Sequence, residues 1–148
     1  MAALPTVFVL NGPNLNLLGT REPEIYGSQT LDDIAAMVSD HAEQLGFTAD
    51  VRQSNHEGHL IDWLHEAEDT GAAAVIINPG GYSHTSVALH DAVKSIETPV
   101  IEVHLSDPDT RESFRHIDYV GMAATQVIKG HGARGYLLAL DAAARLCE

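Results

Sequence analysis

Two pairs of residues stand out by type and spacing. Arg21 and Tyr26 lie five positions apart in the stretch Asn11–Gly27, which also holds three Asn, three Gly and two Pro. Gly and Pro fix the path of a backbone, and Asn supplies donors and acceptors without charge. The stretch is composed to hold a ligand. A tyrosine hydroxyl, with an ordinary pKa of about 10, is a poor base at neutral pH. A cation about 4 Å away contributes roughly 4 kcal/mol at an effective dielectric of about 20, and Arg21 is the cation nearest in sequence. Further along, Glu102 and His104 alternate, so on a strand both side chains face one way. A carboxylate beside an imidazole orients the ring and keeps it protonated, which makes a proton donor. Arg111 and Arg115 follow at i and i+4 on an expected short helix. Like charges repel there, and an anionic ligand or a carboxylate relieves them. Base, acid and arginines together suit proton abstraction beside a carbonyl followed by loss of a leaving group. Each pair taken alone also has an ordinary structural reading: a turn tyrosine before Gly27, a satisfied Glu–His pair, two solvated arginines.

The elements that must position these groups alternate along the whole chain. Strands are expected at Thr6–Leu10, Phe47–Gln53, Ala73–Asn78, Val100–His104 and Thr125–Lys129, mostly rich in Val and Ile. A helix starts at the N-cap Thr30 and ends at Gly46, with Leu31, Ile34, Ala35, Val38, Ala42 and Leu45 at helical spacing. Others carry Leu60, Ile61, Leu64 and Ala67; Ser86 to Ile96; Thr110–His116; and Leu137, Leu140, Ala144 and Cys147. Five strands alternating with helices imply a flavodoxin-like α/β three-layer sandwich, a five-stranded parallel sheet of order 2-1-3-4-5 with helices on both faces. Residues 1–148 read as one such domain, without linker or repeat. Ligands bind such sheets outside the carboxyl ends of the strands, at the switch point between strands 1 and 3. The loops after strands 1, 3 and 4, which are Asn11–Gly27, Asn78–Ser86 and His104–Arg111, hold or adjoin the residues singled out above.

Composition narrows the partners. The 148 residues carry a net charge of -13, with six Arg and two Lys. That charge argues against nucleic acid and anionic membrane, and makes Arg21, Arg111 and Arg115 in and beside the loops conspicuous. The one cysteine, Cys147, can form no internal disulfide, which fits a reducing, cytoplasmic setting. No apolar run approaches membrane-spanning length. The His56–His59 segment, His-Glu-Gly-His, lacks the His-Glu-x-x-His spacing of a zinc helix and reads as a surface loop.

The motifs together closely resemble type II 3-dehydroquinate dehydratase over almost the whole chain. They are Asn11-Gly-Pro-Asn-Leu-Asn-Leu-Leu-Gly19, Arg21-Glu-Pro, Tyr26-Gly, Gln53-Ser-Asn-His-Glu-Gly58, Leu60-Ile-Asp62, Asn78-Pro-Gly-Gly81, His84-Thr-Ser-Val-Ala-Leu89, Glu102-Val-His-Leu-Ser106, Arg111-Glu-x-Phe-Arg-His116 and Gly135-Tyr. The resemblance implies anti elimination of water from 3-dehydroquinate to 3-dehydroshikimate through an enolate, without metal, cofactor or Schiff base. By the same resemblance Tyr26 takes the C2 proton and Arg21 keeps it ionised. Asn14 helps hold a water that stabilises the enolate. His104, oriented by Glu102, protonates the departing C1 hydroxyl. The Leu105 and Ser106 amides and the Ser106 hydroxyl hold the carboxylate, and Asn78, His84 and Arg115 bind ring oxygens. Arg111 closes the site as part of a lid with Arg21 and Tyr26, and Asp91 reaches a neighbouring copy's site in a dodecamer of four trimers.

Several positions depart from that pattern: Asp107 for Asn, Pro108 for a branched aliphatic, His90 for Arg, Asp118 for Ser and Gln126 for Gly. A negative Asp107 beside Leu105 and Ser106 is expected to weaken substrate binding unless it points away or is paired. The rival readings are a catalytically weakened homologue and a flavodoxin-like binding module. Against the module, the chain lacks the Ser/Thr-rich phosphate loop of a flavin carrier and has Asn11 and Asn78 where a receiver domain needs acids.

Overall fold

A parallel sheet covered on both faces needs strands that are apolar on both sides, and the central strands here are built so. The computed structural model describes residues 3–20 and 22–148. Its strands are β1 (Thr6–Asn11), β2 (Thr48–Gln53), β3 (Ala74–Asn78), β4 (Val100–His104) and β5 (Gln126–Lys129). They pair in parallel in the order β2-β1-β3-β4-β5, the expected topology with ends shifted by one residue. The helices are α1 (Pro23–Tyr26), α2 (Leu31–Gln44), α3 (Glu57–Asp69), α4 (Val87–Ser95), α5 (Tyr119–Ala123) and α6 (Arg134–Leu146).

Alternation along the strands divides the core in two. Val7, Val9, Ile76, Ile101 and Val103 pack against α2 and α6. Phe8, Leu10, Val75, Ile77 and Val100 pack against α3, α4 and α5. Glu102 and His104 share the parity of Val100, so they project toward the α5 side. The switch point falls between β1 and β3, where Asn11 and Asn78 stand side by side in register.

Two expectations are corrected. Thr110–His116 is no α-helix but two 3-10 turns, Pro108–Thr110 and Ser113–Arg115, around an extended Arg111. Side chains here bond the local backbone: the Asp107 carboxylate accepts from Asp109 N at 3.0 Å, and the Thr110 hydroxyl donates to Asp107 O at 2.8 Å. Such bonds compete with a helix, and a single turn lacks the length to resist them. The His56–His59 segment opens α3 instead of forming a surface loop. Ser54 Oγ meets His59 Nδ1 at 2.7 Å, and the Ser86 hydroxyl donates to Glu57. An acid in the first turn also suits the helix dipole. The short helices α1 and α5 were not expected; Pro23 starts one and the Asp118 carboxylate caps the other, accepting from Gly121 N at 2.9 Å.

Candidate active site

The loop after β1 is clamped to the loop after β3. Gly12 N donates to Asn78 O at 2.8 Å, and a Cβ on Gly12 would stand 2.6 Å from Pro79 O; only glycine fits. Asn14 has φ 70°, a left-handed conformation Asn tolerates, and its N–H donates to Asn55 Oδ1 at 3.0 Å. Beneath the two loops, the Tyr136 hydroxyl of α6 donates to Asn11 Oδ1 at 2.6 Å and accepts from Asn78 Nδ2 at 3.1 Å. Burial pushes that hydroxyl far above its ordinary pKa, so it stays a neutral donor. The Asn78 amide is thereby fixed, and its Oδ1 accepts from Gly80 N at 3.2 Å.

Above this floor lies a cavity of about 230 Å³, below the range typical of drug-sized ligand pockets. Asn14, Tyr26, Asn78, His84, His104, Leu105, Ser106, Arg111 and Arg115 line it. Nine of the twelve expected site residues therefore meet in one cavity. Of the other three, Glu102 is fully buried behind His104, Asp91 stands exposed on α4 beside His90 at 2.8 Å, and Arg21 lies outside the described residues.

The arginines are arranged around a carboxylate and the cavity. Arg111 Nη1 donates to Ser106 Oγ at 3.2 Å, and its guanidinium lies over the Tyr26 ring at 5.2 Å. Arg115 Nε donates to Glu112 Oε2 at 2.8 Å, and Glu112 Oε1 lies 3.9 Å from Arg111 Nε. Glu112 is thus a carboxylate that relieves the pair, while both guanidiniums remain at the cavity. His84 Nδ1 donates to Ile117 O at 2.7 Å, which leaves Nε2 as the nitrogen free to serve a ligand. Asp107 points away: it caps its own turn and lies 3.9 Å from Lys129 Nζ. It does not line the cavity, so the expected weakening of substrate binding has no structural basis.

Behind the cavity His104 faces two carboxyls. Its Nε2 lies 3.2 Å from Glu102 Oε1 and 3.7 Å from Asp118 Oδ2. Burial disfavours a charged imidazole, but the two carboxyls outweigh it and hold His104 up at about 9. Burial pushes Glu102 up to about 8. Asp118 is also penalised by burial, yet the neighbouring His104 and Glu102 and the Gly121 N–H it accepts from take it down to about 2. Within the trio burial and coupling thus favour the protonated forms of His104 and Glu102 and the ionised form of Asp118.

The sequence model of the family described as dehydroquinase class II matches residues 5–144. The chain belongs to this family. It is 58% identical over 142 residues to the 3-dehydroquinate dehydratase of Phenylobacterium zucineum, covering 96% of this chain and 97% of that one. It is 56% identical over 143 residues to that of Rhizobium meliloti, covering 97% and 96%. Among solved structures, the type II dehydroquinase of Propionibacterium acnes superposes with a TM-score of 0.92 at 43% identity, covering 98% of both chains. That of Butyrivibrio crossotus gives 0.93 at 38%, covering 96% of this chain and 99% of that one. In this dehydroquinase the resemblance drawn from the motifs holds over nearly its full length, and the binding-module reading has no support.

Three positions at or beneath the site were given no role in the sequence analysis. Asn11 and Tyr136 form the floor, and Asp118 completes the His104 trio. A tyrosine among the apolar residues of α6 was a usable signal. Nothing local connects Asp118 with a strand ending fourteen residues earlier.

Proposed function

We infer that this dehydroquinase removes water from 3-dehydroquinate to give 3-dehydroshikimate, a step of the shikimate pathway, with Tyr26 as base and His104 as acid. The observation that carries the reading is one small cavity lined by a phenol, an imidazole paired with carboxyls, and two guanidiniums. Tyr26 takes the C2 proton, and the electrons pass to the neighbouring carbonyl as an enolate, near Asn14. The enolate then collapses, breaking the C1–O bond as His104 supplies a proton to the departing hydroxyl, which leaves as water. Because Nε2 faces Glu102 and Asp118, Nδ1 is the nitrogen that serves the cavity. The Ser106 hydroxyl and the Leu105 and Ser106 amides take the substrate carboxylate, with Arg111 held on Ser106. Asn78, His84 and Arg115 orient the ring oxygens. Arg21 keeps the role the resemblance gives it, and no metal or cofactor enters the scheme.

The same reading makes the protein a cytoplasmic dodecamer of four trimers in which Asp91 serves a neighbouring copy. Its exposed place on α4, off its own chain's cavity, supports this. No described helix is long and apolar enough to cross a membrane. Mixing the protein with 3-dehydroquinate tests the activity: the conjugated product absorbs in the ultraviolet and the substrate does not. A rise proportional to protein concentration supports the reading, and a flat trace with folded protein contradicts it.

A further inference from the structure

Asp118 sits just before α5, and two features show that its carboxylate is placed with care. It caps that helix through Gly121 N at 2.9 Å, while its other oxygen lies 3.7 Å from His104 Nε2. Room for it exists only because residue 121 is glycine: a Cβ there would stand 2.4 Å from Asp118 Oδ2 and 2.9 Å from Glu102 Oε2. Neither oxygen of the fully buried Glu102, nor His104 Nε2, has an aligned hydrogen-bond partner among the described residues, so the two carboxyls act on the ring through proximity. A carboxylate left ionised there without aligned donors is costly. Asp118, closer to solvent and accepting a hydrogen bond from Gly121 N, bears a negative charge at less cost.

We propose that Asp118 is a positioning residue for the reaction: it is a second carboxylate that keeps the His104 imidazole protonated and turned so that Nδ1 faces the substrate. The proposal rests on the reading of His104 as the acid. The groups around His104 leave few rivals. β4 brings Glu102, and β3 and α5 bring no charged side chain. β5 brings Lys129, whose ammonium is held by Asp109 at 2.6 Å. α4 brings Lys94 together with His90 and Asp91, which pair with each other. The cavity side brings Tyr26, His84, Arg111 and Arg115. Only Glu102 and Asp118 lie within ion-pair distance of its ring among the described residues.

The test uses Asp118→Asn and Asp118→Ser, which remove the charge but keep a helix-capping side chain. The His104 ring is titrated by NMR, and kcat and KM are measured across pH. The expected result is a fall of the His104 pKa by at least about one unit, since a neighbouring opposite charge is worth about one to three. The alkaline limb of kcat moves down with it, and KM at neutral pH stays unchanged because Asp118 does not line the cavity. An unmoved His104 titration overturns the proposal. A His104 pKa that falls while the kcat limb stays put would instead overturn His104 as the acid and leave the pairing standing.

Discussion

Replacing Tyr136 by Phe removes one oxygen and tests whether the floor of the site is held as described. The Tyr136 hydroxyl is fully buried and bridges Asn11 and Asn78, themselves 0% and 3% exposed. Its loss strands the Asn11 acceptor and one Asn78 donor with no route to water. Each stranded buried group costs about 1–3 kcal/mol, and relief of the hydroxyl's own desolvation offsets part of this. The expected destabilisation is about 2–3 kcal/mol, a large share of a total stability of about 5–15 kcal/mol. For a chain of this size that lowers Tm by about 4–10 °C. Urea unfolding at one fixed protein concentration measures it, since any subunit association would make the midpoint concentration-dependent. The freed Asn78 amide should also raise KM for 3-dehydroquinate. A loss below about 0.5 kcal/mol, the size of an ordinary surface change, would refute the claim that this bridge holds the two loops.

Three other outcomes follow from the same geometry. Asp107→Asn should change KM by less than about threefold, because a partly exposed pair such as Asp107–Lys129 is worth about 0–1 kcal/mol and Asp107 faces away from the cavity; a large gain in affinity would restore the sequence-based expectation. Gly121→Ala should cut kcat far more than it lowers the unfolding midpoint, since the added Cβ lands on Asp118 and Glu102; an unchanged kcat would show that the trio does not matter to the reaction. Stability should fall as pH rises from about 6 to about 9, tracked by the urea midpoint. His104 and Glu102 are both raised, to about 9 and about 8. The folded state therefore binds more protons than the unfolded one across that window, and a midpoint flat over it would contradict the raised pair.

The sheet order was legible because strand-like runs rich in Val and Ile alternate with helical spacing, and a parallel sheet needs little more. That nine of the expected residues would meet at one cavity was legible because the motifs lie on or beside loops that the carboxyl ends of the strands must gather. What stayed hidden depends on contacts between distant elements. The bridge from Tyr136 to Asn11 spans 125 positions. The upward push on Glu102 comes from burial that no local pattern announces. The segment 108–116 misled because its arginine spacing suits a helix, while Asp107 and Thr110 bond the backbone into tighter turns. Asp107 itself looked harmful until Lys129 and the turn gave it somewhere to point.

The central claim is that Tyr26 removes the proton that begins dehydration. Tyr26→Phe keeps the ring under the Arg111 guanidinium and deletes only the hydroxyl. With 3-dehydroquinate, followed by absorbance of the conjugated product, kcat should fall by about 10²–10⁴, the usual worth of a positioned general base, with KM nearly unchanged. A variant that turns over within about threefold of the natural protein would contradict the assignment.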